Sequence, residues 1–251
     1  MFILGLLLSG GIGLSLGLIG GGGSIITVPV LVYVLGVDAH QAVGMSLAVV
    51  GATSVVGTAL HSRTGSVDFR TGALFGLSGV LGAFYGSRLT YLLPASTLML
   101  LFAGLMITVA TAILVTHRRT DTDDTPRGRS TTKAVAAGLG VGVMTGFLGV
   151  GGGFLIVPAL VFFGGLTMKD AIGTTQLIIA INCIAGLAGH LQHGGFDPHL
   201  ALLVTGMAAG GALLGTAISR RASPARLKTG FAFFVIAVAL FLIAKNYTVL
   251  L

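Results

Sequence analysis

Two glycine-rich stretches contain the residues best suited to chemistry. They read GLIGGGGSIITVP over residues 17–29 and GFLGVGGGFLIVP over residues 146–158. Glycine and proline disfavour the interior of an α-helix, so each stretch predicts a break between two apolar helices. The N–H groups that begin a helix attract negative charge, and glycine lets an oxyanion approach them closely. The stretches therefore predict an anion site, formed by Gly20, Gly21, Gly22, Gly23, Ser24, Gly151, Gly152 and Gly153.

Neutral polar residues on the neighbouring apolar segments could complete this site. They are Ser46, Thr53, Thr174, Thr175, Gln176 and Asn182. Hydroxyl and amide groups can donate hydrogen bonds to sulfonate-type oxygens. The alternative is structural, because Ser and Thr in membrane helices often bond a carbonyl of their own helix. A primary amide that faces lipid is costly, so Gln176 and Asn182 are the better binding candidates.

Three further residues could act as gates or proton carriers. His61 and His190 carry imidazoles, which titrate near physiological pH. The alternative is that both histidines anchor segment ends at the headgroup level. Arg88, at another segment end, could attract anions or serve as an interfacial anchor. The sequence shows no metal-ligand cluster, catalytic constellation or cofactor motif, and GGGGS lacks the Gly-Lys-Ser/Thr of a phosphate-binding loop.

The composition sets the class of protein that must hold these residues. Of 251 residues, 54% are hydrophobic and 8% are charged, and the mean hydropathy is +1.01. Glutamate is absent, and all seven aspartates fall in predicted loops or at segment ends. This distribution argues against a carboxylate proton relay, a divalent cation site and a carboxylate-lined pore. We therefore predict an all-α polytopic membrane protein, with the lipid bilayer and a small anion as partners and no nucleic acid.

The chain consists of two related halves. An offset of 129 residues aligns residues 17–31 with 146–160 at seven identical positions of fifteen, and also pairs His61 with His190. A polar linker separates the halves, which gives a first membrane repeat at 1–116, a linker at 117–132 and a second repeat at 133–251. Each repeat contains five apolar segments. The second segment of each repeat, near 25–36 and 154–165, is too short to cross ~30 Å of hydrocarbon as a helix.

The basic residues predict the orientation. If each half makes an odd number of crossings and the linker is cytoplasmic, twelve of the fourteen Lys and Arg residues lie inside. An odd count makes the second half an inverted copy of the first. We expect the protein to lie in the inner (plasma) membrane. The glycine-rich segments are then broken or re-entrant, and either a hairpin or two crossings satisfies the count. In the hairpin geometry, inverted symmetry would bring both glycine turns near the bilayer centre.

The duplicated glycine block resembles the sulfite exporter TauE/SafE family, also called the toluene sulfonate uptake permeases. The shared positions are Gly17, Gly20, Gly22, Gly23, Val28 and Pro29, with Gly146, Gly149, Gly151, Gly152, Val157 and Pro158. The resemblance implies a non-enzymatic secondary transporter that exports sulfite or a sulfoacetate-like organosulfonate by alternating access. The residues are equally compatible with uptake. The alternatives are an anion channel and a membrane-embedded sulfur-handling enzyme or assembly factor, for which Cys183 is the one candidate reactive group.

Overall fold

A computed structural model describes residues 2–19, 23–63, 65–117, 131–148, 152–162, 164–192, 195–219, 236–237 and 239–244. All regular structure in these ranges is helical. The helices are α1 (Phe2–Ile19), α2 (Ser24–Tyr33), α3 (Ala39–Ser62), α4 (Phe69–Leu89), α5 (Ala95–His117), α6 (Thr131–Leu148), α7 (Gly153–Phe162), α8 (Met168–His190) and α9 (Pro198–Ser219), with a 3-10 turn at Thr90–Leu92. Residues 236–237 and 239–244 are also helical. Most of the predicted linker lies outside the described residues.

Short polar side chains cap several of the long helices at their N-termini. Asp38 accepts hydrogen bonds from the backbone N–H groups of His40 and Gln41 at the start of α3. The Asp68 carboxylate accepts a hydrogen bond from the backbone N–H of Thr71 at the start of α4. The Thr167 hydroxyl accepts one from the backbone N–H of Asp170 at the start of α8. Such caps typically contribute about 1 kcal/mol each. These aspartates therefore lie at helix ends, as the sequence predicts, where they satisfy backbone donors.

The helix boundaries repeat along the chain. Adding 129 to the bounds of α1 and α2 gives the bounds of α6 and α7, and the same shift carries the first residues of α3 and α4 to those of α8 and α9. Each half therefore starts with a long helix, a break, a ten-residue helix and two further long helices.

The two halves are interleaved, because the first helix of each packs against the fourth helix of the other. Helix α1 lies along α9, and α6 lies along α4. Glycines permit the close approach: Gly13 abuts the Ala208 carbonyl, and its counterpart Gly142 abuts the Gly79 carbonyl. A Cβ atom at either glycine would overlap backbone atoms. Such small-residue contacts are typical of helix packing in membranes, where close van der Waals contact replaces the hydrophobic driving force.

Helices α3 and α8 occupy equivalent places in the two halves and run antiparallel against each other. Gly44, Gly51 and Gly57 on α3 face His190, Cys183 and Gln176 on α8, so the residue numbers fall on one helix as they rise on the other. The centre of this register lies close to Thr53 and Asn182, which the 129-residue offset pairs.

The distribution of apolar side chains fits a bilayer. Large hydrophobic residues point outward along α4, where Leu77 is 65% exposed, and along α9, where Leu202 is 72% exposed. By length and hydropathy, three helices among the described residues are able to span a membrane: Ala39–Ser62, Asp170–His190 and Pro198–Ile218. The prediction of an all-helical fold with several apolar helices is thus confirmed for the part of the chain that the structure describes.

Candidate anion-binding site

The structure describes one side of each glycine turn. Gly20, Gly21, Gly22 and Gly151 lie outside the described residues. Gly152 has a φ of +67°, a left-handed conformation that favours glycine. Its carbonyl accepts hydrogen bonds from the N–H groups of Leu155 and Ile156, both at 2.9 Å, and so begins α7. The first N–H groups of α7 have no partner within the helix, as at any helix start.

Each glycine turn folds back onto the helix that precedes it. Gly23 packs against the Ile12 carbonyl in α1. Gly152 packs against Thr145 in α6, and the Thr145 hydroxyl is the atom nearest to the position of an added Cβ. Helices α2 and α7 therefore begin one to two turns before the ends of α1 and α6, well inside the helical bundle. Ser24, the first residue of α2, is fully buried there.

Several fully or nearly fully buried polar side chains have atoms without a hydrogen-bond partner. These atoms are Thr145 Oγ1, Thr175 Oγ1, Gln176 Oε1, both amide atoms of Asn182, and Ser54 Oγ. A buried polar group left unpaired costs about 1–3 kcal/mol, so such groups often mark functional positions. Four of the five residues belong to the second half of the chain.

Two side chains with unpaired atoms on α8, Gln176 and Asn182, lie against other helices of the bundle. Gln176 Nε2 donates to the Leu16 carbonyl at 3.4 Å, and the Leu16 nitrogen adjoins Gly23. Asn182 abuts Gly79, which in turn meets Gly142, one helical turn before Thr145. Asn182 follows Gln176 by six positions, a rise of about 9 Å along an α-helix. Helix α8 therefore places the Gln176 amide beside the first turn and the Asn182 amide against α4, where α4 meets α6.

Other predicted residues use their polar atoms within the protein. Ser46 donates to the Val43 carbonyl at 2.8 Å, and Thr53 donates to the Val49 and Val50 carbonyls at 2.9 and 3.0 Å. These are bonds of a hydroxyl to its own helix. The Thr174 hydroxyl accepts a hydrogen bond from the Asp68 backbone N–H at 2.9 Å, which ties α8 to the start of α4.

His190 ends α8 in a network that includes Tyr91 in the 3-10 turn. Its Nδ1 lies 3.1 Å from the Tyr91 hydroxyl, and its Nε2 lies 3.0 Å from the Gly146 carbonyl in the last turn of α6. The Tyr91 ring stacks on His40 with 5.6 Å between ring centroids. Burial raises the pKa of the Tyr91 phenol, and the Asp38 carboxylate raises it further. Tyr91 therefore stays protonated at neutral pH.

A cavity of about 270 Å³ adjoins this network. We name it the Tyr91 cavity; its walls are Asp38, His40, Gln41, Gly44, Tyr91, His190, Gly195 and Phe196. The 129-residue offset makes Gly173 the counterpart of Gly44 in the second half. A Cβ atom added at Gly44 would meet His190 and Phe196 at 3.5 Å, whereas one at Gly173 would overlap the Ser66 carbonyl. The two ends of the α3–α8 pair are therefore packed differently.

The remaining two predicted residues lie at helix ends. His61 lies in the last turn of α3, and the His61 Cβ is 3.3 Å from the position that an added Cβ would take at Gly173. Arg88 stacks over Phe84 at 4.8 Å from the ring centroid and donates to Gln192 Oε1 at 3.3 Å. The Arg88 guanidinium therefore already interacts with an aromatic ring and an amide on the surface.

The sequence matches the family described as sulfite exporter TauE/SafE over residues 4–242. The chain belongs to this family. A probable membrane transporter protein of Xylella fastidiosa strain 9a5c is 37% identical over 248 residues, 95% of this chain and 94% of that protein. The probable membrane transporter protein YdhB of Bacillus subtilis is 30% identical over 190 residues, 74% of this chain and 77% of its own. No solved structure matches the chain at a significant level.

Membership of the TauE/SafE family confirms the predicted resemblance and the prediction of a membrane transporter rather than an enzyme. The structure also shows two buried, unpaired hydroxyls that the sequence did not single out, those of Thr145 and Ser54. Thr145 lies seven residues before Gly152, so its nearness to the second turn could have been recognised. Its counterpart in the first half is Leu16, and a search for matching polar residues in both repeats therefore overlooks it.

Proposed function

We propose that this TauE/SafE protein is a secondary transporter that exports small sulfur-containing anions by alternating access. The substrates are sulfite or organosulfonates such as sulfoacetate, and the protein resides in the cell inner membrane with its linker in the cytoplasm. A membrane potential of ~100 mV, negative inside, would contribute about 2.3 kcal/mol to the export of each negative charge.

The packing supports an inverted repeat. The equivalent helices α3 and α8 are adjacent and antiparallel, and the α1–α9 contacts recur as α6–α4 contacts at the same offset. If both central helices cross the bilayer, antiparallel packing means that the halves have opposite orientations. Many transporters with inverted repeats bind their substrate near the midplane, where the repeats meet. In this protein that position is close to Thr53 and Asn182.

One observation carries the assignment of an anion site: the start of α7 lies beside the unpaired, fully buried hydroxyl of Thr145. A helix start bears roughly +0.5 of an elementary charge and directs N–H groups outward. Thr145 and Asn182 add neutral hydrogen-bond donors, and Gln176 adds an amide beside the first turn. Such a site would bind an oxyanion without a buried Lys or Arg, so that desolvation of a cationic side chain would not oppose binding.

Alternating access is supported by the unequal ends of the α3–α8 pair. The Gly44 end adjoins the Tyr91 cavity, whereas the Gly173 end is packed against Ser66. In the proposed orientation the Gly44 end faces the outside. An inverted repeat allows the two halves to exchange these arrangements, which would close the outer end and open the inner one.

The experiment is counterflow in proteoliposomes loaded with unlabelled sulfite or sulfoacetate, with radiolabelled substrate outside. A transporter transiently accumulates label above equilibrium, whereas a channel does not. Substitution Thr145→Val retains the shape of the side chain but removes its hydroxyl. We expect at least a tenfold loss of transport, together with unchanged or increased thermal stability, because an unpaired buried polar group is removed.

Substitution Thr205→Val is the matched control, because the Thr205 hydroxyl donates to the Ala201 carbonyl of its own helix at 2.7 Å. We expect near-normal transport in this variant. Wild-type transport in Thr145→Val would refute the proposed site, and the absence of counterflow with every sulfur anion would refute the proposed function.

A further inference from the structure

His190 is nearly fully buried, at 1% exposure, and yet it lines the Tyr91 cavity. A carbonyl oxygen has no proton to donate, so the Gly146 carbonyl requires a hydrogen on His190 Nε2. In the neutral imidazole, Nδ1 is then an acceptor, and the Tyr91 hydroxyl donates to it across 3.1 Å. The contacts therefore fix the tautomer of neutral His190.

The same contacts also satisfy the protonated imidazole. With a proton on Nδ1, His190 donates to the Tyr91 oxygen, and the Tyr91 hydroxyl turns to donate to the His190 carbonyl, which lies 3.4 Å away. The Nε2 bond to Gly146 is unchanged. Addition of a proton thus leaves every atom of this network with a hydrogen-bond partner, although the side chain is buried.

The position of His190 also favours a positive charge. Gly146 lies in the last turn of α6, and the C-terminal end of a helix carries a partial negative charge that stabilises a cation. Tyr91 and the Gly146 carbonyl face His190 directly, and Asp38, His40 and Gln41 face it across the cavity. The Asp38 carboxylate lies 3.6 Å from His40 and accepts the N–H groups that begin α3, so its charge is directed toward that helix.

We propose that His190 is the proton-binding residue of the transporter, and that its protonation favours binding of the anion at an outer position in the Tyr91 cavity, from which the anion exchanges with the proposed site beside Thr145. This inference rests on the proposed transport of sulfur-containing anions. The proton supplies a positive charge to a wall that, among the residues the structure describes, includes the Asp38 carboxylate and neither Lys nor Arg, and the anion in turn stabilises the proton. Such coupling is reciprocal by thermodynamic linkage.

The test is calorimetric titration of the purified protein with sulfoacetate, whose acid groups are both ionised between about pH 6 and 8. Any proton taken up on binding must then come to the protein. Titration at one pH in two buffers with different ionisation enthalpies measures this uptake. We expect up to one proton per anion, with an affinity that is highest at low pH and falls by up to tenfold per pH unit as His190 loses its proton.

In His190→Gln the new amide retains a donor for Gly146 but does not titrate, so the proton uptake and the pH dependence should disappear. Tyr91→Phe should weaken both, because the protonated Nδ1 loses its acceptor. The exposed His199 lies outside the cavity wall, and His199→Gln is the control that should behave like the wild type. Thermal unfolding of each variant identifies one that has lost its fold.

Two results would overturn the inference while leaving transport of the anion intact. In one, the wild type binds sulfoacetate without taking up protons. In the other, His190→Gln retains the uptake, and loss of the uptake in His40→Gln would then assign the proton to His40. A wild-type protein that binds neither sulfite nor sulfoacetate at any pH would instead refute the proposed function.

Discussion

Alanine substitutions at Gly44 and Gly173 should have opposite effects on stability, although the repeat pairs these positions. Alanine favours a helix over glycine by about 1 kcal/mol. At Gly44 the added Cβ meets its nearest neighbours at 3.5 Å, an ordinary contact, so Gly44→Ala should be neutral or stabilising. At Gly173 the Cβ overlaps the Ser66 carbonyl. Overpacking costs about 1–3 kcal/mol, which exceeds the gain in helix propensity.

The thermal midpoint measures this difference. Since each kcal/mol shifts the midpoint of a chain of this size by about 2–4 °C, Gly173→Ala should unfold a few degrees below the wild type and Gly44→Ala at or above it. The effect of Gly44→Ala on transport should differ from its effect on stability. If the halves exchange arrangements, the outer end closes by packing Gly44 against residue 195, the counterpart of Ser66. Gly44→Ala should then bind the anion but not complete the transport cycle.

Three assays on one preparation separate these effects: thermal unfolding, anion binding and counterflow. Gly44→Ala should retain binding, with transport at least tenfold below the wild type. Wild-type counterflow in a stable Gly44→Ala protein would show that the Gly44 end does not adopt the packed arrangement seen at the Gly173 end. This result would refute the exchange of arrangements between the two halves.

Two further substitutions test the glycine turn and the rival enzyme. In Gly152→Val, a β-branched residue must adopt a φ of +67° against Thr145, so transport should be abolished in the inserted protein. Gly36→Val is the control, because it bears a similar backbone strain at φ +70° but has no atom within 4 Å of the added Cβ. In the same vesicles, its transport should exceed that of Gly152→Val by at least tenfold. Equal losses in the two variants would argue against a site at the turn. In Cys183→Ser, a thiol buried against Gly51 becomes a hydroxyl of similar size. Transport per folded molecule should be unchanged. Complete loss of transport in a normally folded protein would support the alternative of a cysteine-dependent enzyme.

The sequence was most informative about features that depend on local residues. Proline and glycine disfavour helix interiors, so the breaks before Ser24 and Gly153 could be predicted. Asp38 and Asp68 lie just before apolar runs, which is typical of helix caps. The offset of 129 residues pairs helix boundaries because duplicated segments retain their local signals. The prediction of helices, their approximate bounds and the family followed from these patterns.

Tertiary contacts were beyond the same reasoning. Thr174 was predicted to bind the anion, yet its hydroxyl accepts from the Asp68 backbone, a contact across 106 positions in sequence. Thr145 was missed because no sequence pattern tells whether a hydroxyl has a partner within its own helix. The contact of Tyr91 with His190 likewise depends on how α4 and α8 pack.

The interleaved arrangement also constrains how a ribosome and a membrane insertion machine must make this protein. Helix α1 is synthesised well before its packing partner α9, which begins only at Pro198. At a synthesis rate of about 5–20 residues per second, the glycine-lined face of α1 waits roughly 10 to 35 seconds for that partner. During this interval lipid or an insertion chaperone must shield it. Since each half completes the other, two separately encoded halves should be degraded when expressed alone and should survive when they are expressed together.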